Sequence, residues 1–579
     1  MERRVFLAIL LSFIVFYGYQ TLFVPPPPDP ARGTPVAPAP AAASDADAAA
    51  PASAPPPTAS RPITAADAAP VTTESAEREI VVETATVQAV FSNRGGRLLH
   101  WRLKDYRDAA GAPQDLVPSG IPDTQPRPFS LRVPDDSVTR RLNGALYRVT
   151  GETGGGVDAT NQGTTLSFEY ADADGLTVRK DFRFDPRSFV VTFSAAITHG
   201  GQTLNPSVLW GPGLGDTGAS SGGGSFFTGN YVQPPQALFH RGGSVERLNP
   251  EVLAGAPAHE GEFRFAGVDD HYFLAAVINP GYARIELYPV AVPGANNTQR
   301  QFLSHSVRRR EPPRDLRFFI GPKQVDVLRS VDAELVRAIN YGMFDFVVVP
   351  LLSSLRWLYQ YVGNYGVAII LLTILINLAM FPLRHKSVVA MRKGQEVQPQ
   401  IKAIQERYAH LKMTDPGRQK MQTEIMAVYR EKGFNPAAGC VPMLLTMPVL
   451  LAFYSLLSMS IELRGQPLGG WIHDLSAADP FYVIPALMGV TMFWQQKITP
   501  STADPAQQRV MMIMPVMFTG MMLFSPSGVV LYWFVSNLWA IGQQYFTNWL
   551  LGPPVTTRPP AERKVKSAGR GKTAAAEKS

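Results

Sequence analysis

Apolar and polar positions divide this chain into two unlike halves. From about Ile80 to Ile320 they alternate with period two, as in ATVQAVFS (85–92), TTLSFEY (164–170), LTVRKDFRF (176–184) and SFVVTFSAAI (188–197). Alternation punctuated by turn residues such as Asn93-Arg94-Gly95-Gly96 and Asp172-Ala173-Asp174-Gly175 predicts half-buried strands. Many short strands without helical patterns between them predict a large all-β sandwich, placed over 77–322. Beyond it the period lengthens. Val327, Val331, Leu335 and Ile339 recur once per turn and predict a helix over 326–339. Residues 345–361, with an internal Pro350 and with Trp357, Tyr359 and Tyr361 near the end, predict a helix lying on an outer membrane surface. Together these helices make a segment of 323–361.

The second half is read by the length of its apolar runs. Gly366–Pro382, GVAIILLTILINLAMFP, comes close to the ~20 residues a helix needs to cross a ~30 Å hydrocarbon core. It predicts a span over 362–383. Later runs predict spans at 441–460, 481–498, 509–524 and 528–550. The run Val5–Val24 lacks a small-x-small cleavage site and predicts an uncleaved anchor over 1–24. The Pro/Ala-rich stretch 25–76 cannot bury enough apolar surface to fold and predicts a semi-extended tether. Residues 384–434 form a charged hairpin. One arm carries Met391, Ile401, Ile404, Tyr408 and Leu411 largely on one face, and the other carries Met421, Ile425, Val428 and Tyr429. Asp415 in the turn between them can cap the second arm.

Charge orients these segments. The chain has 579 residues, 45% hydrophobic, with a net charge of +7, and its basic residues cluster in the hairpin and in the tail 551–579. The positive-inside rule places both on the cytoplasmic side, and Arg3 and Arg4 place the N-terminus there too. Six spans satisfy every loop and put the β-domain outside. The single cysteine, Cys440, cannot form an internal disulfide and reads as a small buried filler. No HExxH, GxSxG or paired CxxC is present. The Gly-rich run Trp210–Gly224 lacks the strand-to-helix context of a phosphate loop. Gly571-Lys572-Thr573 lacks that loop's earlier glycine. No cofactor, metal or specific nucleic acid is expected.

Two polar residues interrupt the first long span. Thr373 and Asn377 are four apart and share a helix face, and Arg384 returns to it if the helix runs through Pro382. A polar stripe inside a span faces either a wet cavity or a neighbouring helix. In the second case Thr373 bonds back to the preceding turn and Asn377 bonds across to another helix. The span near 510–524 is dense in Met511, Met512, Met514, Met517, Met521 and Met522, which suits either changing apolar clients or lipid-facing filler.

NPAAGCVP at Asn435–Pro442, the stretch Glu462–Trp494 and FSPSGVVLYWFVSN at Phe524–Asn537 closely resemble the YidC family of bacterial membrane protein insertases. VGNYG at Val362–Gly366 and FFIGPKQ at Phe318–Gln324 fit as well. The resemblance implies a five-helix core enclosing a hydrated groove, closed outside and working without ATP. It also implies an outer β-domain of the sugar-epimerase super-sandwich type. Expected partners are nascent inner-membrane proteins, the Sec translocon, the ribosome through hairpin and tail, and the lipid bilayer. The groove's usual Arg or Lys is Asn377 here, and a position that is often Gln is Thr446. Arg384 is a candidate to replace the lost charge. Tyr532 and Trp533 occupy the family's paired-aromatic position. Met447, Ser536, Asn537 and Gln543 complete the candidate groove lining.

Two other readings compete. A transporter or channel with an outer sensor domain would need intramembrane charges or paired broken helices, and the spans hold essentially no central Asp, Glu, Lys or Arg. A membrane-anchored carbohydrate enzyme would draw on Asp269, Asp270 and His271, which stand together in the β-region.

Overall fold

A computed structural model describes residues 72–552 apart from short internal stretches, the longest being 216–232. The side chains of 441–447 and 505–510 also fall outside the description. The N-terminal anchor, most of the tether, all but the last two residues of the NPAAGCVP motif and nearly all of the basic tail therefore lie outside the described residues.

The alternating half forms two sheets. A five-stranded sheet runs Pro113–Asp115, Arg97–Arg107, Val87–Ser92, Glu79–Glu83, Gly156–Asp158, antiparallel except for the last pair. A thirteen-stranded antiparallel sheet is built around the long pair Ala258–Asp269 and Phe273–Pro293. Their inner faces meet in an aromatic core: the Phe129 ring lies 5.1 Å from both Phe182 and Phe318. The indole N–H of Trp101 donates across the sheets to the Ile320 carbonyl at 2.8 Å. Burying such rings removes large apolar areas from water and fixes their relative orientation.

The helical half follows. Helix α1 (Asp136–Gly144) belongs to the β-domain. The helix predicted over 326–339 is two pieces: α2 (Val325–Val331) and a 3-10 turn (Ala333–Ala338). Asp332 separates them because its extended backbone lets its carboxylate accept from the Glu334 N–H. Such a cap starts a new turn. Helix α3 (Asp345–Val362) keeps Pro350 inside and exposes Phe346, Trp357 and Tyr361.

Helix α4 (Tyr365–Arg407) is unbroken over 43 residues. It runs through Pro382 and Pro399, so the predicted span and the first hairpin arm are one helix roughly 65 Å long at ~1.5 Å per residue. The second arm is α5 (Gly417–Glu431), and Val397, Ile401, Ile404, Met421 and Ile425 bury together between the arms. Four helices remain: α6 (Val441–Met459), α7 (Val483–Ile498), α8 (Pro505–Met522) and α9 (Ser527–Leu551). Helix α9 packs between α4 and α7, α7 packs on α8, and α6 packs on α3. Among the described residues, only α4 is long and apolar enough by length and hydropathy to cross a membrane. The polar residues Gln543, Gln544 and Asn548 dilute the apolar character of α9.

Candidate functional site

The polar stripe of α4 points inward. Thr373 is 0% exposed and Asn377 is 3% exposed. The Thr373 hydroxyl donates to the Ile369 carbonyl at 2.6 Å, and the Asn377 amide donates to the Thr373 carbonyl at 2.8 Å. Both side chains thus bond along their own helix, and Asn377 does not bridge to another helix through that donor. Its amide oxygen accepts from Arg384 Nη1 at 2.8 Å. Seven residues are two helical turns, so a long, flexible side chain climbs back to the stripe while its stem covers apolar surface. The guanidinium therefore touches the very position where the sequence offered no charge.

Helix α9 distributes the other candidates among its neighbours. The Tyr532 ring stacks on Phe453 of α6 at 4.3 Å, and the Trp533 ring meets Phe518 of α8 at 4.5 Å. Ser536 lies one turn below Tyr532 and is half-buried. Asn537 is expected in the groove lining; the structure instead makes it an interhelical tie. Its amide donates to the Met488 carbonyl of α7 at 3.3 Å, because Asn537 lies on the α7-facing side of α9. Gln543 also departs from the expected lining and forms part of an outer groove between α4 and α9. Thr446 and Met447 lie in α6, with side chains outside the described residues. The methionines of α8 divide: Met514 and Met517 are exposed, while Met522 is buried.

Sequence periodicity does not reveal the plug that packs between the β-domain and the helix ends. The segment 460–482 buries Leu463, Ile472 and Leu475. It receives N–H bonds from Gly528 to the Leu475 carbonyl (2.9 Å) and from Ser527 to the Ala477 carbonyl (2.7 Å). Asn364 caps α4 and also donates to the Pro467 carbonyl at 3.1 Å. At Gly366 the plug comes so close that an added Cβ would sit 2.3 Å from Leu468 Cδ1. Asp479 accepts from the Ile484 N–H at 2.8 Å and caps α7. The β-facing ends of α4, α7 and α9 are therefore closed by packed, hydrogen-bonded chain.

The β-domain is tied to this plug and to α6. His271 Nδ1 accepts from the Gln233 N–H at 3.0 Å, and its Nε2–H donates to the Ser458 carbonyl at 2.8 Å. These two bonds fix the neutral tautomer, and burial pushes the imidazole down to about 4. Asp269 pairs with Lys323 at 2.9 Å, both buried, and accepts from the Gln233 amide. Asp270 accepts the N–H groups of Tyr272 and Phe273, and burial still raises its carboxyl to about 6. This cluster, a candidate for sugar chemistry in the sequence, is buried joinery between domain and helix. Arg356 bridges Glu462 (2.5 Å) and Asp326 (2.7 Å) at the same junction. Arg464 donates to the Arg107 carbonyl and to Gln114, both at 2.8 Å. Among the described residues no group of three His, Cys, Asp or Glu side chains can hold a metal ion.

Comparison with known proteins agrees with this layout. A model of the YidC periplasmic domain matches residues 79–354, and one described as a 60Kd inner membrane protein matches residues 357–551. The membrane protein insertase YidC of Geobacter metallireducens is 33% identical over 570 residues, covering 95% of this chain and 98% of its own. That of Oleidesulfovibrio alaskensis is 34% identical over 564 residues, covering 95% and 99%. A solved YidC insertase with its first transmembrane domain resolved covers 83% of this chain and 95% of its own at 20% identity. Its TM-score to this chain is 0.34. A strand-rich domain resembling the periplasmic one, a helical half matching the inner-membrane one, and full-length relatives above 30% identity converge: the chain belongs to the YidC family of membrane protein insertases.

Proposed function

We propose that this chain inserts membrane proteins along the inner faces of α4, α6, α8 and α9, with Arg384 supplying the positive charge that draws in acidic client segments. The carrying observation is the 2.8 Å bond from Arg384 to the buried Asn377 amide. In a low-dielectric surrounding, a cation attracts a carboxylate several-fold more strongly than in water. Arg presents five N–H donors, so contact with Asn377 leaves others for a client.

On this reading the N-terminal anchor, the first part of α4 and helices α6 to α9 are six spans. The hairpin and both termini are cytoplasmic, and the β-domain is periplasmic. The packed segment 460–482 keeps the outer side shut, so polar client chain enters from the cytoplasm and its apolar part leaves into lipid. Hydrophobic transfer at ~25 cal/mol per Å² drives that exit without a nucleotide. The basic hairpin and tail suit a ribosome, and membership of the family implies the Sec translocon as a partner. No Asp or Glu lies within α6, α7, α8 or α9, which speaks against ion-coupled transport.

The test is insertion by purified protein in liposomes. Arg384→Ala should slow a client with an acidic tail about tenfold, roughly 1.4 kcal/mol, and leave a neutral-tailed client unchanged. The double variant Arg384→Ala with Asn377→Arg should restore the rate. Wild-type insertion of the acidic client by Arg384→Ala overturns the assignment.

A further inference from the structure

A groove lies between α4 and α9. It has a volume of about 750 Å³, and its walls are Ile370, Ile374, Leu378 and Phe381 of α4 facing Leu531, Phe534, Leu538 and Phe546 of α9, among others. The rim residues Leu378, Leu538 and Phe546 are about half exposed, so the groove opens outward. Two polar side chains interrupt it, Trp539 and Gln543. They are four residues apart and share one face of α9. Gln543 is 7% exposed, and its Nε2 has no hydrogen-bond partner among the described residues; neither has the buried Trp539 Nε1. A buried donor left unpaired costs about 1–3 kcal/mol, so two of them in one apolar groove call for an acceptor.

The chemistry of the acceptor follows from the surroundings. A transmembrane helix of another protein has its backbone carbonyls already paired within itself. A phospholipid ester carbonyl has no donor of its own and only accepts, and the chain attached to it fills an apolar channel. Gln543 stands eight residues from the end of α9, roughly 12 Å at ~1.5 Å per residue. That depth lies on the side of the hairpin. The groove's lower end is walled by Phe381 and Phe546, with rings 5.9 Å apart, and His385 stacks on Phe381. Just below, Arg392 is anchored to Asn548 and, at 2.7 Å, to the Gly552 carbonyl. It puts a positive charge at the hairpin end of the same two helices, the end where a headgroup would lie.

We propose that this groove holds one acyl chain of a phospholipid from the cytoplasmic leaflet, with its ester carbonyl accepting from Gln543 and Trp539. The inference rests on α4 and α9 spanning the bilayer, and not on the role given to Arg384. Bound lipid fills the seam between the two helices and satisfies the donors that the protein leaves open.

The test uses full-length protein released from nanodiscs of phosphatidylethanolamine and phosphatidylglycerol into native mass spectrometry. Wild type should retain one phospholipid under activation that strips the surrounding lipids. An added Cβ at Gly542, in the groove wall, meets nothing within 4 Å, so Gly542→Leu starts its side chain in open space and narrows the channel. That variant should lower retention at least tenfold. Gln543→Leu, which removes a donor but keeps the volume, should lower it about fivefold, the equivalent of ~1 kcal/mol. Equal retention by wild type and Gly542→Leu overturns the proposal. So does retention of an adventitious additive only, such as detergent, or capture of a polypeptide at a cysteine placed at Leu538. Gly542→Leu should still insert the acidic-tailed client, so loss of lipid and loss of the Arg384 effect are separable.

Discussion

The β-domain and the helical half handle buried polar groups in opposite ways. In the β-domain the buried groups include ionisable ones, held by partners from distant parts of the chain. Lys180 is 0% exposed and donates to the carbonyls of Gly95 (2.6 Å) and Phe129 (2.9 Å), and burial pushes its amine down to about 7. Asp269 and Lys323 form a fully enclosed ion pair. Within α4 and α9 the deeply buried polar residues are neutral; Thr373, Asn377 and Asn537 bond along their own helix or to a neighbouring one. Large exposed apolar side chains show the reverse distribution. Among the described residues all but Tyr282 lie beyond residue 345. The difference reflects the solvent each half displaces. An unfolded β-domain gives its charges back to water, whereas an unpacked helix in lipid keeps its backbone paired and its polar groups still find partners.

The sharpest way to break this comparison is Lys323→Met. It strands the Asp269 carboxylate without its cation and should cost about 3–5 kcal/mol, seen as loss of the β-signal at lower urea while helical content holds. A loss below 1 kcal/mol would show that the enclosed pair contributes no more than a surface one.

Acid sharpens the same contrast. His271 and His305 are buried and held down to about 4 and about 3, so the unfolded chain binds their protons first. Their stabilisation is complete above the unfolded value near 6.5 and is lost as pH falls toward those folded values. Asp270, raised to about 6, works in the other direction: the folded state takes up its proton first and regains some stability below pH 6. Between pH 7 and 5 the net effect is a loss on the order of 2 kcal/mol, confined to the β-domain. Parallel melts at the two pH values, with near-UV signals of the β-domain unchanged, would refute it. The smallest effect is expected from Asn537→Leu. Removing that interhelical bond should cost under about 1 kcal/mol in detergent, as such bonds average ~0.6 kcal/mol in membranes. A penalty above 2 kcal/mol would erase the distinction between the halves.

The legible parts of the sequence are those with a period. Alternation located the strands Val87–Ser92, Thr164–Ala171, Leu176–Phe184 and Val190–His199, and the four-residue spacing of Thr373 and Asn377 put them on one buried face. Periodicity assigns a face but not the neighbour it meets. Nothing in the spacing of Tyr532, Trp533 and Asn537 says that they reach three different helices. The plug at 460–482 has no repeat, because irregular local turns and bonds from Asn364, Ser527 and Gly528 hold it rather than a periodic element. The apolar run ends at Pro382 and charged residues begin at Arg384, so run length places a boundary there that the unbroken helix does not respect. Helix α9 lies along α4 on both sides of that point, with Gly528 beside Ile369 and the Phe546 ring beside Phe381 before it and Thr547 beside His385 after it. The reach of His271 to Ser458 spans 187 positions and leaves no local trace.

The unbroken α4 has a mechanical meaning. One end is seated against Leu468 of the plug, and the other forms half of the hairpin. It is a beam about 65 Å long with two soft joints, since Pro382 and Pro399 each remove one rung of the backbone ladder. The hairpin and the plug are thus joined by one continuous helix, and the proline nearer the plug stands two residues from Arg384.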